Sequence, residues 1–153
     1  MHTGTIAVVL VMVAMGSTVA LAENPEEEAA MKTVGQFVGG FNKADGKATL
    51  AACARQTSII DEFPPHSWQT CSSWLSDYNA WGKKNGVTDG VVTLADPKHV
   101  DITGNFAYVI VPTTFTFKQN GKQMKEEGST LTVVLQKGAA GWQITAWTWT
   151  MGS

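Results

Sequence analysis

The dipeptide Asn120-Gly121 does most to limit what this chain can fold into. Asn-Gly suits the two positive-φ positions of a type I′ turn, whose twist matches that of paired strands. It joins residues 106–118, rich in Val, Ile, Thr, Phe and Tyr, to a return strand over residues 122–136 with a bulge expected near Gly128. A turn at 138–141 then leads to a last strand, residues 142–151. Upstream, residues 90–95 and 99–102 flank Pro97 and read as one interrupted strand, because proline cannot donate to a ladder. The second half of the chain is therefore a meander of antiparallel strands.

Apolar residues fall on both parities of these strands. Phe106, Tyr108 and Ile110 alternate with Val109, Val111, Phe115 and Phe117; Trp142 and Ile144 lie on one parity of the last strand, Trp147 and Trp149 on the other. The helices available can cover one face of the sheet. Apolar side chains on the second face predict a homodimer formed through the sheet.

The first half of the chain is helical by pattern. Asn24-Pro25-Glu26-Glu27 is a helix start, and Ala30, Val34, Phe37 and Phe41 recur at helical spacing behind it, which predicts a helix over 25–42. Asp45 caps a short second helix over 47–53, and a polar loop, 55–58, leads to a strand at Ile59-Ile60. Pro64-Pro65 ends that strand. Ser67 is expected to cap a third helix, 67–84, whose stripe of Trp68, Cys71, Trp74, Leu75, Tyr78 and Trp81 is the strongest amphipathic signal in the sequence. This order of helices and strands is an α+β class.

Residues 5–22 are apolar, end in Ala20-Leu21-Ala22 and give way at once to Glu23 and a run of glutamates. They read as a signal peptide, 1–22, cut to leave one domain, 23–153; the competing reading is a retained anchor. The expected product is exported, periplasmic or secreted, with no stable membrane anchor. In that setting Cys53 and Cys71 can form one disulfide, the alternative being two buried thiols. The net charge of −2 includes no Lys/Arg cluster, which argues against nucleic acid as a partner. His66 and His99 share no ligand spacing, so no metal is expected, and no phosphate or dinucleotide fingerprint calls for a cofactor.

Three segments carry a resemblance. Phe37-Val38-Gly39-Gly40-Phe41-Asn42-Lys43-Ala44-Asp45, the stretch 59–68, and Gly141-Trp142-Gln143-Ile144-Thr145-Ala146-Trp147 resemble the SnoaL-like branch of the NTF2-like, or cystatin-like, superfamily. The resemblance covers residues 29–150. It implies a strongly curved, mostly antiparallel sheet wrapping three N-terminal helices into a cone with an apolar pocket at its open end. Relatives include ketosteroid isomerases, cyclases and dehydratases beside non-catalytic binding domains. The isomerase pattern places a general base where Asp61 or Glu62 falls. Its helix-one tyrosine is matched by Phe37, and residues 107–117 hold no acid for the other half of its oxyanion hole.

The candidate catalytic residues are thus Asp61 and His66, a carboxylate beside an imidazole that could take or give a proton near neutral pH. Glu62, of opposite strand parity, reads as solvated. The candidate pocket comprises Phe37, Phe63, Trp68, Trp74, Tyr78, Tyr108, Thr114 and Trp147. The expected function is binding of a small hydrophobic or amphipathic molecule. The alternatives are a cofactor-free isomerase, cyclase or dehydratase using Asp61, and an envelope interaction module.

Overall fold

The computed structural model describes residues 24–153; the signal-peptide reading of residues 1–22 lies outside them. Helix α1 spans Pro25–Asn42, where the Asn24 side chain accepts the Glu26 N–H at 3.1 Å and so satisfies one of the free amides of the first turn. Its buried face is Ala30, Val34, Phe37 and Val38. Helix α2, Gly46–Ala51, starts at once after a turn, capped by Asp45 through the Ala48 N–H. A Cβ at Gly40 would lie 2.6 Å from the Thr49 amide nitrogen, so the absence of a side chain there lets α2 close onto α1.

Strand β1 runs Cys53–Ile60, six residues earlier than its apolar end suggests. The polar residues expected as a loop are part of this strand: β1 lies parallel beside the last strand, with Cys53 opposite Ile144, Ser58 opposite Ala146 and Ile59 opposite Trp147, and the register shifts between Cys53 and Ser58, where the Thr57 N–H donates to the Gln69 carbonyl. Backbone pairing, not side-chain pattern, makes that segment extended. Its one buried polar group inside the strand, Thr57, donates to the Ile144 carbonyl at 3.1 Å. The third helix also starts later than expected. Ser67–Trp68 form a short strand, β2, folded back on Ile59 and Ile60, and α3 spans Cys71–Asn85 with Thr70 as its cap. Gly86, at φ 65°, closes α3, and its carbonyl accepts the Asn120 N–H at 2.8 Å, tying the helix end to the hairpin tip.

Strands β3 (Val87–Leu94) and β4 (His99–Thr103) occupy successive stretches of one edge of β5 (Phe106–Gln119), as expected of a strand interrupted at Pro97. Strands β6 (Lys122–Gly138) and β7 (Gly141–Thr150) complete a sheet of order β2-β1-β7-β6-β5-β3. Asn120 and Gly121 both have positive φ, as a type I′ turn requires. The sheet is mostly antiparallel, and the three helices pack on one side of it.

Two bulges decide which way the strands face. Thr113 is opposite Ser129 while Phe115 is opposite Glu126, so β6 carries one extra residue at the Gly128 bulge. Val134 is opposite Ala146 while Leu135 is opposite Ile144, which makes Thr145 the extra residue of β7. The second bulge reverses parity. Trp142, Ile144 and Trp147 are all buried on the helix side, with Trp149 partly buried against the same core. The expectation that β7 spreads its aromatics over two faces is therefore corrected. Exposed apolar groups of the sheet include Phe106, Tyr108, Val91 and Ile60.

Cys53 and Cys71 are joined in a disulfide, with Cα atoms 6.4 Å apart, linking the start of β1 to the start of α3. The core lies between α1 and the inner face of the sheet, where Val34, Val109, Val111, Val133, Leu135 and Ile144 are fully buried. Burying each such side chain contributes roughly 1.5–3 kcal/mol against the entropy of folding. Asn42 docks the end of α1 on β3, exchanging two 2.8 Å hydrogen bonds with the Val92 backbone.

Candidate functional site

Between α1, α3 and the inner face of β5, β6 and β7, the core stops short of filling the space. The cavity there has a volume of about 60 Å³. Phe37, Val38 and Phe41 of α1, Trp74, Tyr78 and Trp81 of α3, Phe63, and Val92, Phe115, Leu131, Trp147 and Trp149 of the sheet line it. Two carboxylates, Asp61 and Glu62, complete the lining where β1 ends. The aromatic walls hold one another in place: Trp74 meets Trp147 edge-on at 4.9 Å and Phe37 at 5.7 Å, and Tyr78 meets Phe41 edge-on at 5.1 Å. Gly90 leaves room for this arrangement, since a Cβ there would stand 2.9 Å from the Tyr78 hydroxyl.

Asp61 points its carboxylate inward. Oδ2 accepts the Trp74 indole N–H at 2.7 Å and Oδ1 accepts the Glu62 backbone N–H at the same distance. Burial pushes the carboxyl above its ordinary range; these two hydrogen bonds hold it down, Glu126 adds to the rise, and His66 opposes it. The Glu62 side chain lies in the same field. The residue keeps an exposed side, yet its carboxyl is pushed up to about 7 by partial burial first, then by the nearby charges of Glu126 and Asp61. Tyr78 is pushed up to about 12, again by burial first and then by Asp61 and Glu62.

Glu126 reaches this end of the sheet from β6. Its Oε1 accepts the Trp149 indole N–H at 3.1 Å, the Gly152 N–H at 3.0 Å and the hydroxyl of fully buried Ser129. One further polar group in the wall stands apart: Trp147 is 5 % exposed, and its indole N–H is buried without a hydrogen-bond partner among the described residues.

Of the residues expected from the sequence, Phe37, Phe63, Trp74, Tyr78, Trp147 and Asp61 come together at this cavity. His66 does not join them. It is exposed, and its Nδ1 lies 3.2 Å from the Asp61 backbone oxygen, not from the carboxylate. Trp68 is buried behind Phe63, 4.7 Å between rings, and donates to Asp77 at 2.9 Å. Tyr108 is 42 % exposed and packs edge-on with His99 instead. Thr114 stands opposite exposed Thr93, one residue out of phase with Phe115 and Val92, which do line the cavity. Glu62, read as solvated, is the acid that joins Asp61; alternation put it on the wrong face because β1 ends there and the chain turns. Glu126, two residues before the bulge at Gly128, was missed because strand alternation does not carry across a bulge.

The raised carboxyls give a pH prediction. With its pKa moved from 4.5 to about 7, folded Glu62 holds a proton that the unfolded chain has lost, so this group's contribution to stability falls as pH rises through that window. Asp61 acts in the same direction. Urea unfolding of Glu62→Gln should therefore show a smaller decline than the unsubstituted protein between about pH 5 and pH 8. An equal decline in both proteins would remove Glu62 as the cause.

No protein-family model matches this chain, and no curated protein matches it. Solved structures do. An NTF2-like superfamily protein from Salmonella enterica serovar Typhimurium superposes with a TM-score of 0.72 at 17 % identity, over 84 % of this chain and 92 % of that one. A ketosteroid isomerase-like protein from Erwinia carotovora atroseptica gives 0.68 at 18 % identity, over 86 % and 99 %. An uncharacterised protein with a cystatin-like fold from Caulobacter vibrioides gives 0.68 at 14 %, over 85 % and 92 %. Identities this low speak for architecture and not for activity. The chain has the NTF2-like, cystatin-like fold.

Proposed function

We propose that this chain is an exported domain that binds a small amphipathic molecule in the aromatic cavity beneath Asp61 and Glu62. The observation that carries this reading is the cavity itself: an apolar hollow in the core with two carboxylates at one end, the usual composition of a small-molecule site. The disulfide suits an oxidising compartment, and no helix among the described residues is long and apolar enough to cross a membrane. The test is tryptophan emission, because Trp74, Trp81, Trp147 and Trp149 all line the cavity. Saturable changes on adding small aromatic alcohols or amines are expected; no response to any of them would sink the reading.

A second reading is favoured by the carboxyls with raised pKa. A group near 7 can both take and give a proton at neutral pH, which is what general acid–base catalysis needs. Asp61 is then the base, partnered by Glu62 instead of His66. Asp61→Asn keeps an acceptor for the Trp74 N–H and should leave the fold intact while lowering turnover of an identified substrate roughly 10²–10⁴-fold. Unchanged turnover would refute the assignment.

The homodimer remains a proposal about the outer sheet face, where Phe106 is 52 % and Tyr108 42 % exposed. Sedimentation should give a dimer that Tyr108→Lys converts to a monomer. A monomeric unsubstituted protein would refute it.

A further inference from the structure

The size and charge of the pocket together narrow its ligand. About 60 Å³ is less than half of the roughly 150 Å³ that accommodates benzene in an engineered cavity. A molecule carrying even one ring must therefore project in part from the hollow, towards the two carboxylates at its end. Those carboxylates lack a cationic partner. The salt bridges among the described residues lie elsewhere, at Lys118–Asp89, Lys125–Glu127 and Lys137–Glu26, and none reaches Asp61, Glu62 or Glu126. The imidazole of His66 is the one basic side chain whose charge acts on Asp61, and it sits on the outside of the turn. Aromatic faces from Tyr78, Trp81 and Trp149 share the lining with these acids, and such faces attract a desolvated cation.

The unpartnered indole N–H of Trp147 is a second, independent observation. A buried donor with no acceptor is costly, and one in a cavity wall is satisfied when the occupant brings an oxygen. Trp147 is one of the residues that line the hollow the carboxylates close.

Building on the binding reading above, we propose that the pocket selects an amphipathic amine. Its ammonium rests between Asp61, Glu62 and the neighbouring aromatic faces, its apolar body lies in the hollow, and an oxygen acceptor at its inner end meets Trp147 Nε1. Because Glu62 must give up its proton to receive the ammonium, affinity rises with pH through about 7. Asp61 just past the end of β1, Glu126 on β6 and Tyr78 on α3 interact with that carboxyl, His66 in the connecting turn acts on Asp61, and together they set the steepness of the rise.

The experiment compares 4-phenylbutylamine, 4-phenylbutan-1-ol and 4-phenylbutyrate by calorimetry and tryptophan emission. The amine should bind about tenfold more tightly than the alcohol, and the carboxylate more weakly than either. Glu62→Gln, a change at an exposed residue, should narrow the amine's advantage over the alcohol, Asp61 remaining as the one carboxylate. A 4-methoxy group on phenethylamine should improve binding to the unsubstituted protein and not to Trp147→Phe. Alcohol binding as tight as the amine overturns the charge selectivity and leaves the pocket reading standing. Failure of all three probes to bind overturns both.

Discussion

Replacing Trp74 with alanine is expected to lower the unfolding free energy by about 3–5 kcal/mol, because the indole is a buried wall shared by the core and the cavity. It is 4 % exposed and packs against the rings of Phe37, Phe41, Tyr78 and Trp147. The informative variant is Trp74→Phe, which keeps most of the packing and removes one donor. Asp61 then retains the Glu62 backbone N–H alone, and an under-satisfied carboxylate costs about 1–3 kcal/mol. Loss of a bond that holds the Asp61 pKa down raises it further, so this deficit is present at neutral pH and fades as acid protonates the group. Urea unfolding at neutral and mildly acid pH measures it. A deficit that does not change with pH would mean that Trp74 acts by packing alone.

Removing the disulfide should cost about 3 kcal/mol in the chain-entropy account, since it closes a loop of 18 residues. The loss should be felt beyond the bridge. Cys71 begins α3, and Trp74 lies one turn further on, so a loosened first turn releases the residue that holds Asp61. Cys53→Ser/Cys71→Ser is expected to unfold at lower urea and to bind any pocket probe more weakly. Reductant should impose the same change on the unsubstituted protein and none on the double variant. Equal midpoints with and without the bridge would show that the core alone holds β1 against α3.

Particular residues show where sequence reasoning stops. The aromatic stripe of α3 was legible because a helix repeats its face every three to four residues, and Trp74 and Tyr78 indeed meet the cavity. Trp68 shares the stripe but precedes the helix, so it packs behind Phe63 instead. The carboxylate at the end of β1 was legible as an acid following an apolar run; its partner was not. His66 is adjacent in sequence yet turned outward, while Glu126, sixty-five positions beyond Asp61, is the acid whose field reaches the site. Tyr108 and Thr114 were placed in the pocket through the wrong strand parity.

What the sequence determined by itself is local. The Asn120-Gly121 hairpin, the caps at Asn24 and Gly86 and the order of helices and strands depend on backbone preferences within a few residues. Tertiary structure alone decided the parallel pairing of β1 with β7 and the bulge at Thr145, whereas the bulge near Gly128 was legible in the sequence. One extra residue reverses every side chain beyond it, and at Thr145 no local preference announces it. That reversal puts Trp147 and Trp149 on the side of Trp142 and Ile144, where they line the hollow that Asp61 and Glu62 close.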